Sequence, residues 1–201
     1  MKKMLFAWVF FVWAAMAFGQ VLTNDERKFV IEMLNTNSIR FLSAIGNVSE
    51  LQWTYKPTSE SWSIAEVSEH IVLSDGLLLS IAQRSLKSPG DSSKGVELHG
   101  KENVVIAKLK DRTYRAHAPE SLKPNNKFAT KKELMEAFTT TRERTAFYVA
   151  TTNDSLKDHI AAHPLFGELT TYQWLVMIPA HANRHVDQLE EVKAAEDFPL
   201  K

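Results

Sequence analysis

Hydrophobic positions recur at helical intervals in four long stretches of the chain. In the first, Phe29, Val30, Met33, Leu34, Phe41, Leu42 and Ile45 follow Thr23-Asn24-Asp25-Glu26, and Gly46-Asn47 closes the run. Thr23 and Glu26 stand as a capping box, so the pattern predicts a helix over Asn24–Ile45, with Asn35–Asn37 as its weak point. A second box, Ser63-Ile64-Ala65-Glu66, opens a helix expected to reach Leu86. Two overlapping stripes run along it: Ile64, Val67, Ile71, Leu78 and Ile81, and Val67, His70, Ser74, Leu77 and Ile81. Thr130 to Glu133 reads as a third box, before Leu134, Phe138, Thr141, Thr145 and Tyr148; Arg142 and Arg144 fall on or near the polar side of that helix. The fourth begins at Thr170 to Gln173 and is expected over Thr171–Ala194. Pro179 lies inside it, where it removes the hydrogen bond to the Leu175 carbonyl and should kink the helix.

Between these stretches the pattern weakens. Leu51 to Pro57 and Ser61-Trp62 read as a loop whose aromatic rings close one end of a bundle, or else line a pocket. Residues 87–129 are the least regular part, with turn chemistry at Ser88 to Ser93 and around Pro119 and Pro124; Val104–Lys110 fits a short helix or an extended piece. Asp158 to Gly167 carries compact turn signals. No segment alternates convincingly as a strand. The expected architecture is all-α: a four-helix bundle with a long crossover between the second and third long helices.

The first nineteen residues stand apart. Lys2-Lys3 precede an apolar run from Met4 to Phe18 that ends among small residues. This is the pattern of a secretory signal peptide, cleaved after Ala17 or, the preferred site, after Gly19. The apolar run is shorter than the ~20 residues a membrane-spanning helix requires. The expectation is therefore an exported chain, periplasmic or extracellular, whose residues 20–201 form one domain without a stable membrane anchor. With 24 basic and 24 acidic side chains, the chain has no electrostatic basis for binding nucleic acid. It has no cysteine, which removes disulfides, thiolate ligands and a thiol nucleophile.

Candidate chemistry concentrates in the fourth long segment. Trp174, Ile178, His181, His185, Leu189 and Val192 step by four, three, four, four and three, so both histidines sit in the apolar seam. At i and i+4 they share one face, about 6 Å apart along the axis. Imidazole turned toward a core needs partners for its ring nitrogens, because an unpaired buried polar group costs about 1–3 kcal/mol. A metal ion would supply them. His70, on the stripe of the second long helix, is the third candidate ligand, and three imidazoles would leave a position open as catalytic zinc sites do. Imidazole also suits nickel, copper and iron. Glu66, Glu69 and Asp187 are the carboxylates expected to orient the rings, with Trp62 and His163 as pocket residues. The Glu-x-x-His pattern of di-iron bundles is not met, since neither His181 nor His185 has a Glu three residues before it.

Several of these residues also carry a resemblance. Trp53 with Lys56-Pro57, Trp62 to Val67 and Glu69-His70, the middle segment Asp111-Arg112, Ala118-Pro119-Glu120 and Pro124, then His163-Pro164-x-Phe166-Gly167, Pro179-Ala180-His181 and Arg184-His185-x-x-Gln188 resemble the motifs of the DinB-like (YfiT-like) metalloenzyme superfamily. The resemblance spans about Leu51 to Val192, and its histidine triad is the specific part. It implies a four-helix bundle, often dimeric, that binds a divalent metal such as zinc or nickel through His70, His181 and His185. Members include thiol-dependent S-transferases, isomerases and proteins described as metal-dependent hydrolases.

Four readings follow. In the first, a metal-dependent hydrolase acts on a small-molecule substrate that the sequence does not name. In the second, a thiol-dependent S-transferase uses the same site; export argues against it, because small cytosolic thiols are scarce outside the cell. The third is a non-catalytic metal-binding module, and the fourth is three core histidines with no metal.

Overall fold

The computed structural model describes residues 20–113 and 117–200, so the expected leader over residues 1–19 lies outside the described residues. Four long helices carry the fold: α1 (Asn24–Gly46), α3 (Ile64–Ser85), α6 (Lys131–Thr151) and α7 (Thr171–Lys193). α7 packs against α3 and α1, and α6 packs against the same two. α1 and α6 run antiparallel. Arg27, near the start of α1, donates to the carbonyls of Val149 and Thr152 at the far end of α6, while Lys131 donates to Val48 just beyond α1. The architecture is the expected all-α four-helix bundle, and among the described residues no helix is long and apolar enough to cross a membrane.

The helix starts are set by side chains, as the sequence indicates. Thr23, Ser63 and Thr170 each accept from the backbone N–H three residues on, and the Glu or Gln there accepts from the cap N–H. Thr130 caps α6 in the same way, but Glu133 reaches one residue further back, to the Ala129 N–H at 2.9 Å, so the expected third box is only half formed. A box that the pattern reading passes over, Ser49 with Gln52, starts α2 (Glu50–Thr54) within the expected loop. There Tyr55 meets Phe198 edge-on and Lys131 lies over Trp53, so this group does close an end of the bundle.

Other expectations need correction. Among its described residues, the long crossover contains α4 (Ser92–Leu98), α5 (Glu102–Lys110) and a 3-10 turn over Glu120–Leu122. Gly95 is required in α4, because a Cβ there would lie 2.3 Å from the Lys157 carbonyl oxygen. The expected loop before α7 is an antiparallel hairpin, β1 (Ile160–His163) with β2 (Gly167–Thr170), in which His163 pairs with Gly167. Its strands are four residues each, too short for alternation to stand out. α7 carries Pro179 inside it and spans the expected range as one helix. α1, by contrast with the expected weak point at Asn35–Asn37, is unbroken, and buried Asn37 donates to the Asn183 side chain at 2.8 Å. Arg142 is not on a polar side. It is buried, and its Nε lies 2.7 Å from Asp75 Oδ2.

The core is divided. One apolar cluster contains Leu34, Leu78, Val149 and Ile178, and the other contains Phe41, Val67, Phe138 and Leu189. Along every long helix the two meet at polar positions: Asn37 in α1, Ser74 and Asp75 in α3, Arg142 and Thr145 in α6, and His181 in α7. A polar layer therefore crosses the bundle between two dry halves.

Candidate metal centre

α3 and α7 make the most extensive helix pairing of the bundle, and the histidine seams of both helices face that contact. One ring nitrogen from each of His70, His181 and His185 lies within 4.8 Å of the other two. The ring centroids are 5.3 Å apart for His70 and His181, and 4.5 Å for each of the other two pairs. The three residues singled out by helical spacing are thus brought to one point.

Each ring is oriented differently. His70 is buried, and its Nδ1 lies 2.8 Å from the Leu122 carbonyl oxygen. A carbonyl only accepts, so Nδ1 carries the hydrogen and Nε2 presents a lone pair. His185 Nδ1 is 2.9 Å from Gln188 Oε1, which fixes the same tautomer. His181 Nδ1 is buried with no hydrogen-bond partner. Such an orphaned nitrogen costs about 1–3 kcal/mol when left unpaired.

The electrostatics point the same way. Burial holds His70 below the ordinary histidine value, although the Leu122 carbonyl opposes it. Burial, then the neighbouring His185 and His70, hold His181 far below that value. His185 is pushed down to about 3, first by burial and then by His70. All three are neutral at pH 7, the form in which imidazole ligates a metal. Three neutral imidazoles with one ring nitrogen each gathered within 4.8 Å of the others form a set that can hold a cation.

The expected carboxylate supports are absent. Glu66 bonds Lys56 and the Ser63 N–H as part of the α3 cap. Asp187 pairs with Arg40 of α1 at the surface. Glu69 is buried but points to the crossover, where it accepts from the backbone N–H groups of Asn125, Asn126 and Lys127. Consecutive residues on a helix lie ~100° apart, so an acid beside a ligand in sequence faces elsewhere. The polar groups that meet the rings are the Leu122 carbonyl, the Gln188 amide and the Ser74 hydroxyl. Gln188 had a sequence signal, three residues after His185 on the same face; a backbone carbonyl has none.

The two pocket candidates fare better. The Trp62 ring is 5.1 Å from that of His70. His163, on the hairpin, packs against Phe166 at 4.7 Å and Trp174 at 5.2 Å, and its Nδ1 accepts from the Leu165 N–H. It stands outside the three-nitrogen cluster.

Comparison with known proteins agrees with this arrangement. A family model described as the DinB superfamily matches residues 33–189, a span that includes all three histidines. The uncharacterized protein YuaE of Bacillus subtilis (strain 168) is 26% identical over 163 residues, covering 81% of this chain and 96% of its own length. Among solved structures, YfiT from Bacillus subtilis, described as a probable metal-dependent hydrolase with an unusual four-helix bundle topology, superposes with a TM-score of 0.53. That match covers 89% of this chain and 91% of YfiT at 13% identity, a likeness of fold.

Proposed function

The chain belongs to the DinB superfamily, and from that premise we propose that it binds one divalent metal through His70, His181 and His185 and serves as a metal-dependent hydrolase. One observation carries the reading: three neutral imidazoles present nitrogens within 4.8 Å of one another, and one of them is buried at its Nδ1 without a partner. The description of YfiT as a probable metal-dependent hydrolase supports the same class. Zinc and nickel are the metals the family resemblance implies, and both accept imidazole ligands.

A divalent ion here would supply Lewis-acid polarisation of a substrate oxygen and a more acidic water. The chain's own residues do the rest. Leu122 and Gln188 fix the tautomers of His70 and His185, so in each ring Nε2 is left as the acceptor before any metal arrives. Trp62 beside His70 gives the site an apolar flank. Export of the mature domain from Gln20 onward belongs to the same proposal; it rests on the signal-like pattern of residues 1–19, and the N-terminal mass of the secreted chain tests it.

The test is elemental analysis of the purified chain beside its triple H70A/H181A/H185A variant, each incubated with zinc and with nickel. One equivalent in the parent and none in the variant is expected. No metal in either would reduce the site to three core histidines. Turnover of ester and amide substrates without added thiol supports the hydrolase; turnover only with thiol assigns S-transfer instead.

A further inference from the structure

Helical serines and threonines in this protein usually return their hydroxyl to the carbonyl four residues back, as Ser38, Ser68, Thr141 and Thr145 do at 2.7–2.9 Å. Ser74 does not. It is 1% exposed, stands one turn beyond His70 in the polar layer, and places Oγ 3.4 Å from His70 Nε2. Because His70 gives its Nδ1 hydrogen to the Leu122 carbonyl, Nε2 accepts and the Ser74 hydroxyl donates. The lone pair it occupies is the one a metal would take.

Once a cation takes that lone pair, the hydroxyl loses its acceptor. A buried hydroxyl left without an acceptor is costly, so it turns either to the carbonyl of its own helix or to an acceptor at the site. Hydroxyl oxygen is not among the usual ligands of zinc, which takes imidazole, thiolate or carboxylate. We propose that Ser74 is the positioning residue for the exogenous fourth ligand: its hydroxyl holds His70 Nε2 in the metal-free protein and donates to that ligand in the loaded one. The site would then favour ligands whose coordinating group also accepts a hydrogen bond, such as carboxylates, hydroxamates and azide. This rests on the metal reading proposed above.

Cobalt(II) and azide are the probes, followed by visible absorption of the cobalt-loaded chain. In Ser74→Ala, cobalt should bind within threefold of the parent or tighter, while azide binds about fivefold to tenfold more weakly, the loss of one hydrogen bond. Ser74→Thr, which keeps the hydroxyl, should restore azide binding. In the metal-free protein, the 15N resonance of His70 Nε2 should move in Ser74→Ala and not in Ser74→Thr. Azide affinity equal to the parent's within twofold in Ser74→Ala overturns the inference and leaves the metal site standing. So does a loss of cobalt affinity beyond tenfold that Ser74→Thr restores, which would make the hydroxyl a direct support of the metal. Failure of the parent to bind cobalt overturns the metal reading and this inference together.

Discussion

Two polar groups are buried on α3 only five residues apart, and they have opposite characters. Asp75 meets Arg142 of α6, a carboxylate against a guanidinium, and the pair answers its own charge although Asp75 Oδ1 and both Arg142 Nη groups have no hydrogen-bond partner. His70 meets His181 and His185 of α7, three bases of one kind. An ion pair explains itself as architecture, joining α3 to α6. A cluster of three imidazoles does not, since His70 and His185 spend their N–H groups on Leu122 and Gln188 and the buried Nδ1 of His181 has no partner. Burial of polar atoms, even of ones without a hydrogen-bond partner, is thus not in itself a sign of function; a convergence of buried groups of one kind is the better sign.

The largest expected effect breaks the first group. Arg142→Ala leaves Asp75 as an uncompensated buried acid and should cost about 3–5 kcal/mol in urea unfolding, whereas Asp75→Leu with Arg142→Met should be near neutral. Next comes the effect of metal on the second group. Zinc at a hundredfold its Kd should stabilise the parent by about 2.7 kcal/mol, read as a rise in Tm, and His181→Leu should abolish that rise. In the metal-free state the same variant should be more stable than the parent by about 1 kcal/mol, because it removes an orphaned nitrogen. An ion pair and a ligand set would thus respond to mutation with opposite signs.

Acidity separates the two groups further. His185 is depressed to about 3 when folded, from 6.5, so the unfolded chain binds more protons as pH falls below 6.5. Its contribution to stability is present above 6.5 and is lost as pH falls toward 3. Asp75 runs the other way. Burial raises it to about 6 from 3.8 against the pull of Arg142, so its contribution is present below 3.8 and is lost as pH rises through 6. Denaturation of the metal-free parent from pH 7 to pH 3 should show a decline that His185→Leu flattens and Asp75→Asn steepens. The smallest effect belongs to the surface: Asp187→Asn, which breaks only the exposed pair with Arg40, should change stability by under about 1 kcal/mol and leave zinc affinity unchanged.

The same contrast sets what could be read from the sequence. The long helices were legible because 3.6-residue periodicity and cap chemistry are local, and the histidine triad because seam positions on two helices have to meet the core. Arg142 was misplaced because its burial depends on Asp75, 67 residues earlier, and not on the residues around it. The hairpin lacked the length to show a period, and α7 from Thr171 to Ala180 is buried all round, in part because α5 packs on it, which no amphipathic pattern records. Glu69 looked like a support for its neighbour His70, yet its carboxylate serves three amides more than fifty residues away.

That last contact constrains the chain's length. Glu69 pins Asn125 to Lys127 while the adjacent His70 takes the Leu122 carbonyl, so two consecutive side chains measure off a fixed six-residue stretch of the crossover. An added or deleted residue within 122–127 would shift the carbonyl away from the imidazole and release its tautomer. Changes between Pro89 and Asp91, upstream of α4, would leave that register untouched. The ruler for the ligand lies on α3 and its scale is drawn on a loop, so variation in the crossover's length is free only on one side of the mark.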